Sequence, residues 1–281
     1  MKASEKMLNC INDLPCMAGI LPRIMAADPQ SAATDLVDII KTDPSFTARV
    51  LRLANSAYIG MPNTVSSLQN AVVILGRKRI QSLAMISCGI GLCGGGLKVI
   101  SFRRFWRHSL AVGILCESIG KHCLRYESFD VDELFAAGVL HDIGMLILAK
   151  AAPGHLHQII DKMQQSQKKP FFCLEPQDNN HGEMGIFAAR QWHFPEVLVQ
   201  AIGFHHAPLR AENYSRQVAI VHIADAMAKM IGLHTIEADT VALPDDRALN
   251  LIPLPLERLR VIAHEALDDQ KRIESLLDAL L

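Results

Sequence analysis

The sequence predicts an all-α protein, and three observations lead there. Apolar residues recur at three- and four-residue intervals over most of the 281 residues, and no stretch alternates at period two for long enough to make a strand. Helix-start signals punctuate the first hundred residues. Half of the residues are hydrophobic but only 5% are aromatic, so Leu, Ile, Val, Ala and Met do the packing, which favours helices over a β-sandwich. A mean hydropathy of +0.18 supplies ample core material and excludes disorder over most of the chain. The length allows one large domain or two closely packed ones.

Taken in order, Asp28-Pro29 and Asp43-Pro44 each set an N-cap acceptor before a proline whose missing N–H costs nothing at the first helical position. Leu36, Ile39 and Ile40 follow the first signal; Phe46, Val50, Leu51 and Ala54 follow the second. Ser66 and Gln69 have capping-box spacing beside Leu68, Val72 and Leu75, and Gly76 fits the position just past a helix end. Arg77-Lys78-Arg79 opens the next helix and reads as a solvated start rather than a phosphate patch. Ala54, Ser56, Ala57 and Gly60 read as tight helix packing, although the same stretch is a plausible path for a partner. The glycines from Gly89 to Gly96 suggest a joint between two helical halves. Their literal GxGxxG match has no preceding strand and no βαβ unit, so it carries no nucleotide reading. Long helices resume at about 99–123, 130–150, 179–192, 195–206 and 214–231, the fourth with Pro195 at its first position. Residues 235–256 read as an irregular connection, and one or two helices close the chain over about 256–281. The division expected is 1–97, 98–232 and 233–281.

The formal net charge is −1, so no global field advertises nucleic acid. Nucleic-acid binding through Arg77-Lys78-Arg79 and Arg103-Arg104 is a weak reading, because the charge is near neutral and the aromatic content low. Seven cysteines, an odd number with no CxxC, read as reduced, buried small hydrophobes. No basic region precedes an apolar signal core, and no run approaches the ~18 apolar residues a membrane span needs. A cytoplasmic protein without a membrane partner is expected. There is no GxSxG elbow, HExxH or P-loop.

The informative feature is the placement of histidines and aspartates. His108 shares a helical stripe with Phe105, Val112, Leu115 and Ile119. His141-Asp142 lies in the apolar run FAAGVLHDIGMLIL, Asp225 lies in line with Val218 and Val221, and His205 lies in line with Leu198, Ala201 and Ile202. His206 follows at once, and His181 stands at a helix start. Buried carboxylates without a cation cost several kcal/mol, so Asp142 and Asp225 need compensation. Imidazoles and carboxylates converging between bundle helices suit a divalent transition metal. Placement alone leaves two readings side by side, a metal site or a structural polar network. His222, three residues before Asp225, is a candidate for support behind that site. The remaining histidines, His234 among them, read as surface or packing residues.

The segments DLVDIIKTDPSFTARVLRLANSAYIG, VSSLQNAVVILGRKRIQSL, FWRHSLAVGILCESI, LFAAGVLHDIGMLIL and HGEMGIFAARQWHFPEVLVQAIGFHH, with the helix of Asp225, together resemble the HDOD family over about residues 12–232. That resemblance implies an HD-type helical bundle with an additional N-terminal helical subdomain, related to metal-dependent phosphohydrolases. It implies a first ligand set of His108, His141, Asp142 and Asp225, with His181, His205 and His206 where a second metal's ligands are expected. Asp142 would then bridge one or two ions of Fe, Mn, Zn or Ni, which in an active enzyme polarise a phosphoryl oxygen and supply a hydroxide nucleophile. Two departures stand out: Met145 replaces the lysine of the HD-GYP pattern HDxGK, and Ala207-Pro208-Leu209-Arg210 replaces the GYP segment. The resemblance therefore implies a bacterial regulatory or signalling protein acting through a signalling protein partner or a phosphorylated small-molecule ligand. The alternative is a phosphohydrolase acting on a nucleotide or other phosphoester.

Overall fold

In the computed structural model, which describes residues 19–28, 32–92, 99–166, 169–237, 239–268 and 270–281, every regular element among the described residues is helical. The first four helices are α1 (Ile20–Met25), α2 (Ala33–Ile40), α3 (Pro44–Ala54) and α4 (Leu68–Gly91), with α1, α2 and α3 packed on α4. Asp43 caps α3 as expected, its Oδ1 accepting the Phe46 N–H at 3.0 Å. The cap of α4 is Ser67, one residue beyond the expected Ser66, with its Oγ accepting from Asn70 N–H at 3.1 Å. Ala32, not Asp28, precedes α2, and residues 29–31 lie outside the described residues. Gly76 takes φ +72° and breaks α4 into two segments, which is the chain reversal that its expected place past a helix end requires. The second half of the expected glycine joint, from residue 93 on, lies outside the described residues.

The second half holds α5 (Phe102–Cys123), α6 (Val131–Leu140), α7 (Ile143–Ala151), α8 (Pro153–Ser166), α9 (His181–Gln191), α10 (Glu196–Phe204) and α11 (Ser215–Met230). A short α12 (Asp246–Leu249) interrupts the expected irregular connection, and α13 (Leu256–Asp268) and α14 (Gln270–Leu280) close the chain. The single helix expected over 130–150 is in fact two. The backbone turns at His141–Asp142, where Asp142 adopts φ −94° and ψ 12° and spends no side-chain bond on capping α7. The run Val131–Ala151 is apolar enough to cross a membrane, but it forms this broken pair in the middle of the core. Pro195 precedes α10 rather than opening it.

Two glycine contacts set the helix spacing. A Cβ on Gly138 of α6 would fall 2.8 Å from the Gly113 Cα of α5. A Cβ on Gly144 of α7 would fall 1.8 Å from the His181 carbonyl oxygen of α9. Backbones this close leave no room for any side chain.

The Arg77-Lys78-Arg79 run is not uniformly solvated. Lys78 is exposed and pairs with Asp130, but the Arg79 side chain is only 11% exposed. Its Nη2 lies 3.0 Å from Glu117 of α5, its Nε lies 2.9 Å from Asp132 of α6, and the guanidinium stacks 4.6 Å from the Phe135 ring centre. Tyr58, from the small-residue stretch, donates its hydroxyl to the same Glu117. The periodicity of α4 hides this, because a cation beside a helix start looks identical whether or not carboxylates from other helices meet it. The small-residue stretch is itself covered by α14: Arg49 and Arg52 donate to the Leu280 and Ala279 carbonyls at 3.1 and 2.9 Å, and Ser275 Oγ accepts the Ala57 N–H at 2.9 Å. One continuous apolar core runs from Ile20 to Leu280.

Breaking a buried ion pair leaves its partner uncompensated, so Arg79→Ala is expected to cost about 3 kcal/mol in urea unfolding. Lys78→Ala, at an exposed pair, is expected to cost under ~1 kcal/mol. Equal effects of the two would show that the Arg79 pair is solvated.

Candidate metal centre

All seven of the singled-out residues meet in one place, between α5, the α6–α7 turn, the start of α9, the end of α10 and α11. They fall into two groups, His108 with His141 and Asp225, and Asp142 with His181, His205 and His206; within each group one ligand-type atom per residue lies within 4.8 Å of the others. All are buried except His206, which is half-buried.

The four buried imidazoles are oriented in the same way. Nδ1 of His108 lies 2.7 Å from the Leu233 carbonyl, and Nδ1 of His141 lies 2.7 Å from the Gly138 carbonyl. Nδ1 of His205 lies 3.0 Å from the Ile202 carbonyl, and Nδ1 of His181 contacts the Glu175 carboxylate. Each Nδ1 therefore donates to an oxygen, and in the neutral ring each Nε2 turns a bare lone pair inward. His181 and His205 bring these two Nε2 atoms to 3.2 Å of each other. Nε2 of His108, Nε2 of His141 and Oδ1 of Asp225 are buried without any hydrogen-bond partner. Buried polar atoms are almost always satisfied, so three orphans facing one space make it a candidate cation site.

Asp142 joins the groups. Its Oδ2 lies 3.3 Å from His141 Nε2 and 3.8 Å from His108 Nε2, while its Oδ1 lies 3.4 Å from His205 Nε2 and 3.6 Å from His181 Nε2. One carboxylate thus offers one oxygen to each group. Asp225 is divided in another way: Oδ1 faces His108 at 3.2 Å, and Oδ2 accepts from Lys229 Nζ at 2.9 Å.

The electrostatics follow this geometry. Burial opposes the charge on Asp142, but His141, His205 and His181 hold its carboxyl well below the usual range. Burial likewise opposes the charge on Asp225, and Lys229, His108 and His141 outweigh it. Burial also works against protonating His141 and His181, yet Asp142 with Asp225 raises the first and Glu175 with Asp142 raises the second. His205 is pushed down to about 4 by burial and by the neighbouring imidazoles, and His206 is pushed well down for the same reasons.

Three members of the centre escaped sequence reasoning. Lys229 lies one turn after Asp225, a spacing that does signal a pair. Asp239 reaches 3.9 Å from Lys229 and accepts the Phe171 N–H at 2.8 Å. Glu175 follows the 3-10 turn Phe171–Leu174, where no periodicity reports burial. His222 does not enter the cavity; its Nδ1–H donates to the His205 carbonyl at 2.7 Å and steadies that residue's backbone. The second group borders two spaces: one of only about 10 Å³, shared with Met145 and Lys229, and a cleft of about 650 Å³ that opens along His181, His205 and His206 to Arg210.

The HDOD domain profile matches residues 14–208. The chain belongs to the HDOD family. Its fold is that of an HDOD domain protein of unknown function from Geobacter sulfurreducens (TM-score 0.75, 24% identity, covering 93% of this chain and 91% of that one). It is equally close to a candidate phosphohydrolase of Shewanella amazonensis (TM-score 0.73, 23% identity, 98% of both chains). A candidate signal transduction protein of Marinobacter aquaeolei matches with a TM-score of 0.77 at 18% identity, over 99% of this chain and 65% of that one. An uncharacterized protein of Treponema pallidum is 25% identical over 244 residues, 82% of this chain, and the chain spans only 45% of that protein. In this HDOD chain Met145 lines the small space beside Asp142, and the cation there is Lys229, supplied from α11.

Because Gly144 meets the His181 carbonyl, Gly144→Ala is expected to destabilise the fold by about 3 kcal/mol, as overpacking does. Gly154→Ala, where nothing lies within 4 Å, should leave the urea midpoint unchanged or raise it slightly.

Proposed function

We propose that the protein is a signalling-class HDOD protein whose core holds two divalent transition-metal ions, one between His108, His141 and Asp225, the other between His181, His205 and His206, with Asp142 shared. The observation that carries this is the convergence of unpartnered Nε2 and Oδ1 atoms on the space that Asp142 divides. Imidazole and carboxylate donors without thiolates suit iron, manganese, zinc or nickel. Glu175 and the carbonyls of Leu233, Gly138 and Ile202 would fix each ring's tautomer, as ligand supports do.

A regulatory role is supported by the enclosed inner group and by the loss of the HDxGK lysine at Met145. Lys229 does not restore that lysine's grip, because its ammonium is already committed to Asp225 and Asp239. Input would come from a signalling partner or a phosphorylated small molecule. One observation favours the second reading, phosphoester hydrolysis: the outer group lines an open cleft of about 650 Å³, of a size that admits a small substrate. Bound metal would supply Lewis acidity there. The chain's own residues would orient the phosphoester, with Arg210 at the cleft wall as a cation.

Elemental analysis of protein purified without chelator is expected to find one or two equivalents of metal, lost in Asp142→Asn; a metal-free wild type that also refuses reconstitution would remove both readings. His206→Ala, at the open edge, should lose no more than one equivalent. If the metal-loaded protein hydrolyses bis-p-nitrophenyl phosphate and Asp142→Asn does not, the hydrolytic reading replaces the regulatory one. The raised pKa values of His141 and His181 mean that metal displaces protons, which competes more strongly at low pH. Metal affinity should therefore be higher at about pH 8 than at about pH 6, with proton release seen as a buffer-dependent calorimetric heat.

A further inference from the structure

A second pocket lies on the far side of His108 from the metal centre. It measures about 290 Å³, close to the lower end of small-molecule sites, which run from roughly 300 to 1,000 Å³. Arg104, Arg107 and His108 of α5 and Gly232, Leu233, His234 and Glu237 after α11 form its walls. The two arginines stand three apart on one helix face, so their guanidiniums approach the same space. Arg107 is held in place by Glu274 at 2.7 Å through Nε and by Gln270 at 3.1 Å through Nη2. Among the described residues the Arg104 guanidinium pairs with Glu237, at 3.1 Å, and that carboxylate is 83% exposed. An ion pair so wet contributes little, and Glu237 can swing into solvent at small cost. His234 adds a buried Nδ1 without a hydrogen-bond partner.

We infer that this pocket binds a small molecule through a phosphate-type oxyanion, with Arg104 and Arg107 as the cations, His234 as a further polar contact, and Glu237 as the carboxylate that the ligand displaces. With Glu237 displaced, the two guanidiniums face, among the described residues, only the Glu274 carboxylate and leave a net positive site, and guanidinium forks match the several acceptors of such an anion. The segment that walls the pocket also walls the metal centre: Leu233 accepts the His108 Nδ1–H, and Thr235, Ile236 and Asp239 line the space at Lys229. The pocket shares His108 with that centre, but its cations are Arg104 and Arg107, and it does not need the metal.

The test is a titration of the chelator-treated full-length protein with inorganic phosphate at constant ionic strength, followed by calorimetry or amide chemical shifts. Saturable binding is expected, weakened about tenfold by Arg104→Gln, which removes one charge-assisted contact from an exposed side chain. Glu237→Gln is expected to tighten binding several-fold, a gain that misfolding cannot imitate. Binding that never saturates, or that ignores both Arg104→Gln and Glu237→Gln, overturns the inference. Binding seen only after manganese is restored would overturn it as well, by moving the anion to the histidine–aspartate centre, whose own reading would survive.

Discussion

The Asp142 carboxylate is the constraint around which the second half of the molecule is arranged. It is buried among helices that are otherwise apolar, and a lone carboxylate there would cost several kcal/mol. Four imidazoles from α5, the α6–α7 turn, α9 and the end of α10 meet it, so four separate stretches of chain must converge before the charge is compensated. The helix break at His141–Asp142 makes this possible. An unbroken helix would space these neighbouring side chains about 100° apart around its axis. The turn instead lets both address one cavity, and it costs no cap bond because the Asp142 side chain is reserved for the interior.

Close backbone approach is the second requirement. Gly113 against Gly138 brings the helix of His108 to the helix that ends in His141, and Gly144 against His181 and Gly185 brings α7 to α9. Side chains of ordinary size would hold those helices apart and separate imidazoles that now stand 3 to 4 Å from Asp142. The glycines therefore serve the centre through packing, and the N-terminal helices are tied to the same frame by Arg79, which spans Glu117 on α5 and Asp132 on α6.

Much of this was legible in the sequence because helices write their burial into a periodic pattern. His108, His205 and Asp225 stood out as ionisable groups on apolar stripes, and the structure brings them together with the other four residues. The turn at His141–Asp142 was not legible, because an apolar run of that length reads as one helix whether or not it bends. Glu175 and Asp239 lie on irregular segments, where no period reports which side chain faces inward. Arg79 misled for a related reason: burial by residues far away in sequence leaves no local trace. Cap positions drifted by a residue, as at Ser67, because adjacent serines offer the same chemistry and backbone geometry chooses between them.

The charge at the centre also bears on what the site accepts. Asp142, Asp225 and Asp239 surround the ammonium of Lys229 and Glu175 meets His181, although burial raises the pKa of Asp239 and so softens its share. Without added cations the cavity is therefore acidic, and an anionic ligand approaching along the cleft would meet repulsion from Glu175 and from Asp178 and Glu183 on its wall. Two divalent ions reverse that sign. Metal loading would thus decide whether the outer cleft can hold an anion at all, whereas the Arg104–Arg107 pocket takes its cations from its own side chains. A fold with one anion site under metal control and another outside it would separate sensing from chemistry, and the backbone from Gly232 to Glu237 borders both the second site and the small space beside Lys229.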